Sequence, residues 1–190
     1  MKFQRITITF LLILAPFCVM AQKWYTSDVD EKVDNILRKM TVKEKLSYIG
    51  GIDWMYTRNI DRLGIPRMKM SDGPQGLGTH GQSTAYPATV LLAATWNEDL
   101  AYEYGKSLGR DCRARGINVL LGPAVNIYRA PMCGRNFEYM GEDPYLAARI
   151  STGYIKGVQD QGIMAVIKHF SANNSDYDSC LLYTSDAADD

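Results

Sequence analysis

Four polar residues stand where a ligand could use them: Asp72 between Ser71 and Gly73-Pro74, Arg135 in Gly134-Arg135-Asn136-Phe137-Glu138, and Lys168-His169 after the apolar run Met164-Ala165-Val166-Ile167. Asp72 reads in two ways. It is a turn or cap residue, or an acceptor-only carboxylate taking two hydroxyl hydrogen bonds from a polyol such as a sugar. Arg135 is an ion-pair partner for Glu138 or Glu142, or a donor to a ligand. Lys168 and His169 follow four residues of buried type, so one of the two points beyond the end of that run. Each residue taken alone leaves both readings open.

Other constellations are weaker. Gly76-Leu77-Gly78-Thr79-His80-Gly81 fits G-x-G-x-x-G, the loop that places a dinucleotide pyrophosphate on a helix N-terminus. No helical pattern follows it: residues 82–89 are mostly polar and contain Pro87. A loop whose backbone lies close to a ligand explains the glycines better. Glu138 with Glu142 or Asp143 would be a carboxylate pair for glycoside hydrolysis, but Asp143 before Pro144 is a helix cap and Glu138 is a partner for Arg135. His80 and His169 are the only histidines, with no CxxC or HxxxH spacing, so no metal is expected. A Ser-His-Asp nucleophile lacks its G-x-S-x-G elbow.

The elements that must position these residues follow from periodicity and capping. Val29, Val33, Ile36, Leu37 and Met40 share a helical face behind Ser27 or Asp28. Thr41 opens a second helix, with Glu44 as capping-box partner and Gly50-Gly51 as its stop. Arg67 to Met70 alternates into a glycine-rich loop. Asn97 caps a helix running to Arg115, closed by Gly116, and a strand over 117–121 follows. Asp143-Pro144 caps another helix running to Gln161, and Gly162 leads into a strand over 164–167. Alternating strands and helices predict an α/β fold with parallel strands. Ser71-Asp72, Asn126 and Lys168-His169 then sit at strand C-termini. That is the site-bearing rim of a (β/α)₈ barrel, and equally the ligand side of an open doubly wound sheet.

The chain has 190 residues, 46% hydrophobic and 22% charged, with 21 basic against 21 acidic groups. That composition is globular, and zero net charge gives no electrostatic case for nucleic acid or an anionic membrane. Residues 1–21 read as a cleaved secretory signal: Lys2 and Arg5, an apolar run from Ile6, then Val19-Met20-Ala21 before Gln22. Pro16 and the short run argue against a membrane span, so an exported protein, periplasmic or secreted, is expected, with no membrane partner after cleavage. Residues 180–190, CLLYTSDAADD, have no periodicity and look like a translated sequencing adapter, so 22–179 is the expected native portion. The oligomeric state and the pairing of Cys112 and Cys133 stay open.

Taken in order, KVDNILRKMTVKEKL (Lys32–Leu46), SDGPQGLG (Ser71–Gly78), YPATVLLAATWNEDLA (Tyr86–Ala101), GRNFEYMGEDPYLAA (Gly134–Ala148) and VIKHFSANNSDYD (Val166–Asp178) resemble glycoside hydrolase family 3. That is the family of β-glucosidases and β-xylosidases. The resemblance implies the N-terminal part of a TIM-like (β/α)₈ barrel, incomplete in this chain, whose rim binds the non-reducing terminal sugar without a cofactor. Asp72, Arg135, Lys168 and His169 match the family's hydroxyl-binding set. A carboxylate accepts while guanidinium, ammonium and imidazole donate, so each sugar hydroxyl finds a partner. Ser171-Ala172-Asn173-Asn174 follows the glucosidase and xylosidase branch rather than the Pro-Gly-His-Gly of the N-acetylglucosaminidase branch.

The departures set further expectations. Ser179 stands where similar proteins carry an arginine that binds sugar. The family's aspartate nucleophile and general acid/base match nothing in this sequence. The expected protein is therefore an exported retaining β-glycosidase, most simply a β-glucosidase acting on oligosaccharides or other β-glycosides, with no catalytic residue in these 190 positions and no hydrolysis by them alone. A retaining mechanism needs two carboxyls about 5 Å apart. The rival expectations are a non-catalytic sugar-binding protein, a β-xylosidase, and a nucleotide-dependent oxidoreductase built on Gly76–Gly81.

Overall fold

The computed structural model describes residues 27–170 and Asn173. The expected signal peptide, the tail from Cys180 and the stretch 174–179 lie outside the described residues. The chain divides into two compact units, residues 1–42 and 43–190.

In the first unit, helix α1 (Ser27–Lys39) carries Asp28 and Asp30 in its first turn and Arg38 and Lys39 in its last, each sign facing the favourable end of the helix dipole. Lys32 pairs with Asp28 at 2.8 Å, one turn apart. Its expected apolar face is present in register, but Val29, Val33, Ile36 and Leu37 are exposed.

Helix α2 (Val42–Ile49) follows. In the second unit Glu44 receives Arg62 through two hydrogen bonds, 3.1 and 2.7 Å. The unit is built on a parallel sheet of β1 (Met70–Asp72), β2 (Val119–Leu121) and β3 (Met164–Ala165), in spatial order β1-β2-β3. Met70 stands beside Val119, and Val119 beside Met164. Between β1 and β2 lie the short α3 (Thr89–Ala93) and the long α4 (Glu98–Ala114), and between β2 and β3 lies α5 (Pro144–Gln159). Each strand thus neighbours its successor across a helical crossover. The described residues form a three-stranded α/β piece and do not close a barrel.

The long helices begin where their sequences say. Asn97 Oδ1 accepts from Leu100 N at 2.9 Å, and Asp143 Oδ1 accepts from Tyr145 N at 2.8 Å and from Leu146 N at 3.3 Å. Those bonds satisfy amides the helix itself leaves open. Gly116 and Gly162, both at positive φ, turn the chain out of the two helices.

Three expectations need correction. Ser71 and Asp72 belong to β1 rather than following it. The stretch 164–167, expected buried, exposes Met164, Val166 and Ile167, because β3 is an edge strand with no further described strand beside it. Helix α3 was not expected, since the five residues Thr-Val-Leu-Leu-Ala are too short a run for a helical period to stand out.

The core lies between the sheet and the α4–α5 pair, around Leu108, Cys112, Leu120, Ile150, Tyr154 and Val158. Burying a side chain of the leucine or isoleucine type there is worth about 2 kcal/mol. The helices meet almost backbone to backbone: a Cβ on Gly105 would sit 2.0 Å from the Tyr154 carbonyl oxygen, and one on Gly157 would sit 2.1 Å from that of Tyr102. Only glycine fits such a crossing. Cys112 and Cys133 are both free thiols and buried, and burial pushes Cys112 up to about 12.

Candidate functional site

The strand ends bring the four residues singled out in the sequence into one neighbourhood. Asp72 is the last residue of β1. Beyond β2 and β3 the parallel pairing continues as a bridge between Ala124 and Lys168, with Val125 N donating to Lys168 O at 2.8 Å and Lys168 N to Pro123 O at 3.0 Å. That pairing carries Lys168 to the C-terminal end of the sheet, on the same side as Asp72.

Lys168 Nζ donates to Asp72 Oδ1 at 2.5 Å and stands 3.6 Å from Glu138 Oε2. Glu138 in turn accepts from Arg135 Nε at 2.5 Å and also pairs with Arg135 Nη2. Two anions and two cations therefore alternate: Asp72, Lys168, Glu138, Arg135. Side-chain exposure changes along the chain of charges, from 45% at Asp72 through 13% at Lys168 to 5% at Glu138, with 32% at Arg135. Among the described residues Asp72 is bonded through Oδ1, and its side chain is 45% exposed beside the ammonium. The ion pair expected for Arg135 with Glu138 is the one formed. It coexists with a place in the cluster.

His169 joins the same rim. Its backbone N donates to Asn126 Oδ1 at 2.8 Å, and Asn126 Nδ2 donates back to His169 O at 3.1 Å. The imidazole stands edge-on to Tyr139, with ring centroids 6.0 Å apart, and Asn173 Nδ2 donates to the Tyr139 hydroxyl at 3.1 Å. The paired Asn126 bonds fix the backbone at His169 and so the direction from which its ring projects.

Local anchors hold these segments. Arg135 precedes a 3-10 turn, Asn136–Glu138, whose last carbonyl accepts from the buried Thr89 Oγ1 at 2.5 Å. Gln75 Nε2 donates to Phe137 O at 2.6 Å, tying the loop after Asp72 to the same turn. Tyr154, reaching out of α5, donates to Pro74 O at 3.3 Å, and Tyr104, reaching out of α4, donates to Pro87 O at 2.8 Å and stands 3.3 Å from Pro74 O. Burial raises both phenols well above the ordinary tyrosine range, so they stay protonated donors. Gly73 and Gly76 lie at positive φ, and a Cβ on Gly76 would stand 2.4 Å from Thr84 O. The loop thus folds back on itself, and no helix starts until Thr89. That is not the glycine-to-helix geometry a pyrophosphate needs, which removes the basis for the oxidoreductase alternative.

Sequence reasoning missed Glu138 as a shared member of the cluster, and missed Tyr139 and Asn173 altogether. It flagged Asn126 as a strand-end polar residue without giving it a partner. The signal for Glu138 was available: three residues after Arg135 on a tight turn, it was already paired there, but a second partner thirty positions on is invisible to local spacing. Among the described residues no group of three or more His, Cys, Asp or Glu side chains is placed to hold a metal. No described helix is long and apolar enough to cross a membrane. A separate groove of about 210 Å³, lined by Pro87, Leu91, Leu92, Thr95, Leu100 and Tyr104, contains none of the four residues.

The comparisons with known proteins point one way. The profile of the glycosyl hydrolase family 3 N-terminal domain matches residues 29–189. The chain belongs to glycosyl hydrolase family 3. That match takes in residues 180–189, the segment expected from its wording to be foreign. Among family 3 relatives, the thermostable beta-glucosidase B of Acetivibrio thermocellus is 41% identical over 157 residues, covering 76% of this chain and 21% of the relative. Beta-glucosidase BoGH3A of Bacteroides ovatus is 42% identical over 199 aligned positions, covering 93% of this chain and 26% of the relative. Among solved structures, beta-glucosidase 3B of Thermotoga neapolitana in complex with glucose superposes with a TM-score of 0.70 at 39% identity, over 76% of this chain and 24% of that one. The Kluyveromyces marxianus beta-glucosidase in complex with glucose gives 0.72 at 38% identity, over 75% and 18%. The chain spans about a fifth to a quarter of the length of the relatives it matches.

Proposed function

We propose that this chain supplies the sugar-binding part of a retaining β-glucosidase: the first strands of a TIM-like barrel, whose rim holds the non-reducing terminal glucose through Asp72, Arg135, Lys168 and His169. The observation that carries this reading is the alternating charge cluster at the strand ends. It presents a partly exposed carboxylate beside an ammonium, with a guanidinium on the neighbouring carboxylate, the mixture of acceptor and donors that a pyranose ring with adjacent hydroxyls requires. Bonds from such groups to the sugar tighten as an oxocarbenium-like state forms. Glucose is favoured over xylose by the glucose complexes of the similar structures. Neither Glu138 nor Asp143 is a candidate for the chemistry: Glu138 is buried between two cations, and Asp143 caps α5.

Hydrolysis on this reading needs two carboxyls that lie beyond residue 178 of the natural protein, so residues 1–190 bind sugar without cleaving it. Calorimetric titration with glucose, xylose and NAD tests the binding. Glucose uptake that disappears in Asp72→Ala supports the reading, whereas NAD uptake or no sugar uptake overturns it. Re-reading the source DNA across codons 170–200 tests the rest. An arginine codon at 179 in a continuing frame supports the hydrolase, and a stop after Asp190 leaves a sugar-binding protein. Export belongs to the same proposal, with cleavage before Gln22. Amino-terminal sequencing of the mature protein that starts at Met1 would count against it.

A further inference from the structure

We propose that Glu138 is a positioning residue of the sugar site: its buried carboxylate holds Lys168 and Arg135 in the places from which they meet hydroxyls, and it does not itself touch the sugar. The inference rests on the sugar-binding reading above and adds a residue that reading does not need.

Three observations carry it. Glu138 has the least exposed side chain of the cluster, 5%, and lies between the two cations, with Arg135 on Oε1 and Lys168 3.6 Å from Oε2. Its backbone is held independently, by Thr89 Oγ1 on its carbonyl and by its own N–H on Arg135 O at 3.1 Å. The carboxylate is therefore not what folds the turn. Asp72 cannot take over the task, because it contacts only Lys168 of the two cations and is the most exposed member.

The physical consequence concerns competition. Lys168 is shared between two carboxylates. With Glu138 present, part of the ammonium's attraction is directed inward, and Asp72 keeps acceptor capacity for the ligand. With Glu138 neutral, Lys168 turns wholly to Asp72 and blocks that acceptor, and Arg135 loses the anion that aims it. Buried ion pairs add little net stability, so what this one contributes is the placement of donors.

The test is glucose binding by the full chain, wild type against Glu138→Gln, alongside the monodeoxy analogues of glucose. The amide keeps the shape and the backbone anchors but removes the charge. Expected is a loss of glucose affinity of roughly tenfold or more, with the preference for glucose over at least one deoxy analogue falling toward one. A merely structural role would lower every affinity alike, so wild-type preference ratios in Glu138→Gln overturn the proposal. If Glu138→Gln does not fold, the glucose complex of the wild type decides. Expected there are Lys168 and Arg135 both on sugar hydroxyls with Glu138 behind them, and a sugar hydroxyl donating directly to Glu138 is the contrary result. Asp72→Ala separates the two readings: if it loses glucose while Glu138→Gln keeps it, only the positioning role fails. A wild type that binds no sugar removes both.

Discussion

The α4–α5 pair and the charge cluster at the strand ends are held by opposite means. The helices touch through glycines and apolar side chains, with neighbours supplied by two continuous segments and each end fixed by its own cap. The cluster touches through four charges drawn from three distant stretches, and Asp72 meets Lys168 only because β1 and β3 flank β2. The first region depends on shape and fails through added volume. The second depends on charge complementarity and fails through a single lost sign. On the proposed reading one chain keeps its stability and its sugar binding in separate chemistry, and substitutions should sort accordingly.

The widest gap between the two should come from Gly157→Ala. The added Cβ falls 2.1 Å from the Tyr102 carbonyl oxygen, so the helices must part, at a cost of about 3 kcal/mol, read as a lower urea midpoint. Asp72→Ala should do the reverse, lowering glucose affinity roughly 100-fold, about 2.7 kcal/mol, while the urea midpoint hardly moves. If both variants lost stability and affinity together, the separation would be wrong.

Alkali probes the helix side. Cys112 is pushed up to about 12 by burial, and Tyr86 to about 12 by burial and its 2.9 Å bond to Asp111. Both folded-state values lie above the ordinary ones, so the folded chain retains protons that the unfolded chain releases. Their stabilisation is therefore complete below about pH 9 and is lost as pH rises from there toward 12. Unfolding followed by circular dichroism should advance through that window, and replacing Cys112 with Ala should flatten its lower part. Smaller still, Asp143→Ala should cost about 1 kcal/mol through the lost cap. Breaking the exposed Arg149–Glu98 pair should move stability less than that, both read from urea midpoints.

The same contrast explains what was legible in the sequence. Asn97, Gly116, Asp143 and Gly162 act on amides and carbonyls within four residues, so the caps and turns of α4 and α5 could be read from one window each. Asp72, Arg135, Lys168 and His169 could be singled out by type and by place after apolar runs. Their mutual contacts could not, because those depend on strand order. Glu138 was legible as half of its role, the half within three residues. The exposure of Val166 and Ile167 was not legible, since an edge strand and a central one are written with the same apolar letters. The helix-crossing glycines were legible in principle: Gly105 with Gly109, and Gly153 with Gly157, recur at four-residue spacing on the two facing helices.

Those four glycines also constrain the gene. Every missense change in a glycine codon installs a residue with at least a Cβ, and at each of the four that atom would fall within 3 Å of a neighbouring atom. Alanine, the mildest change a single base can make, already collides. Variation at these codons should therefore be almost wholly silent, while the exposed helix positions between them drift, so that comparing nucleotide substitutions among close relatives would mark the crossing without any structure.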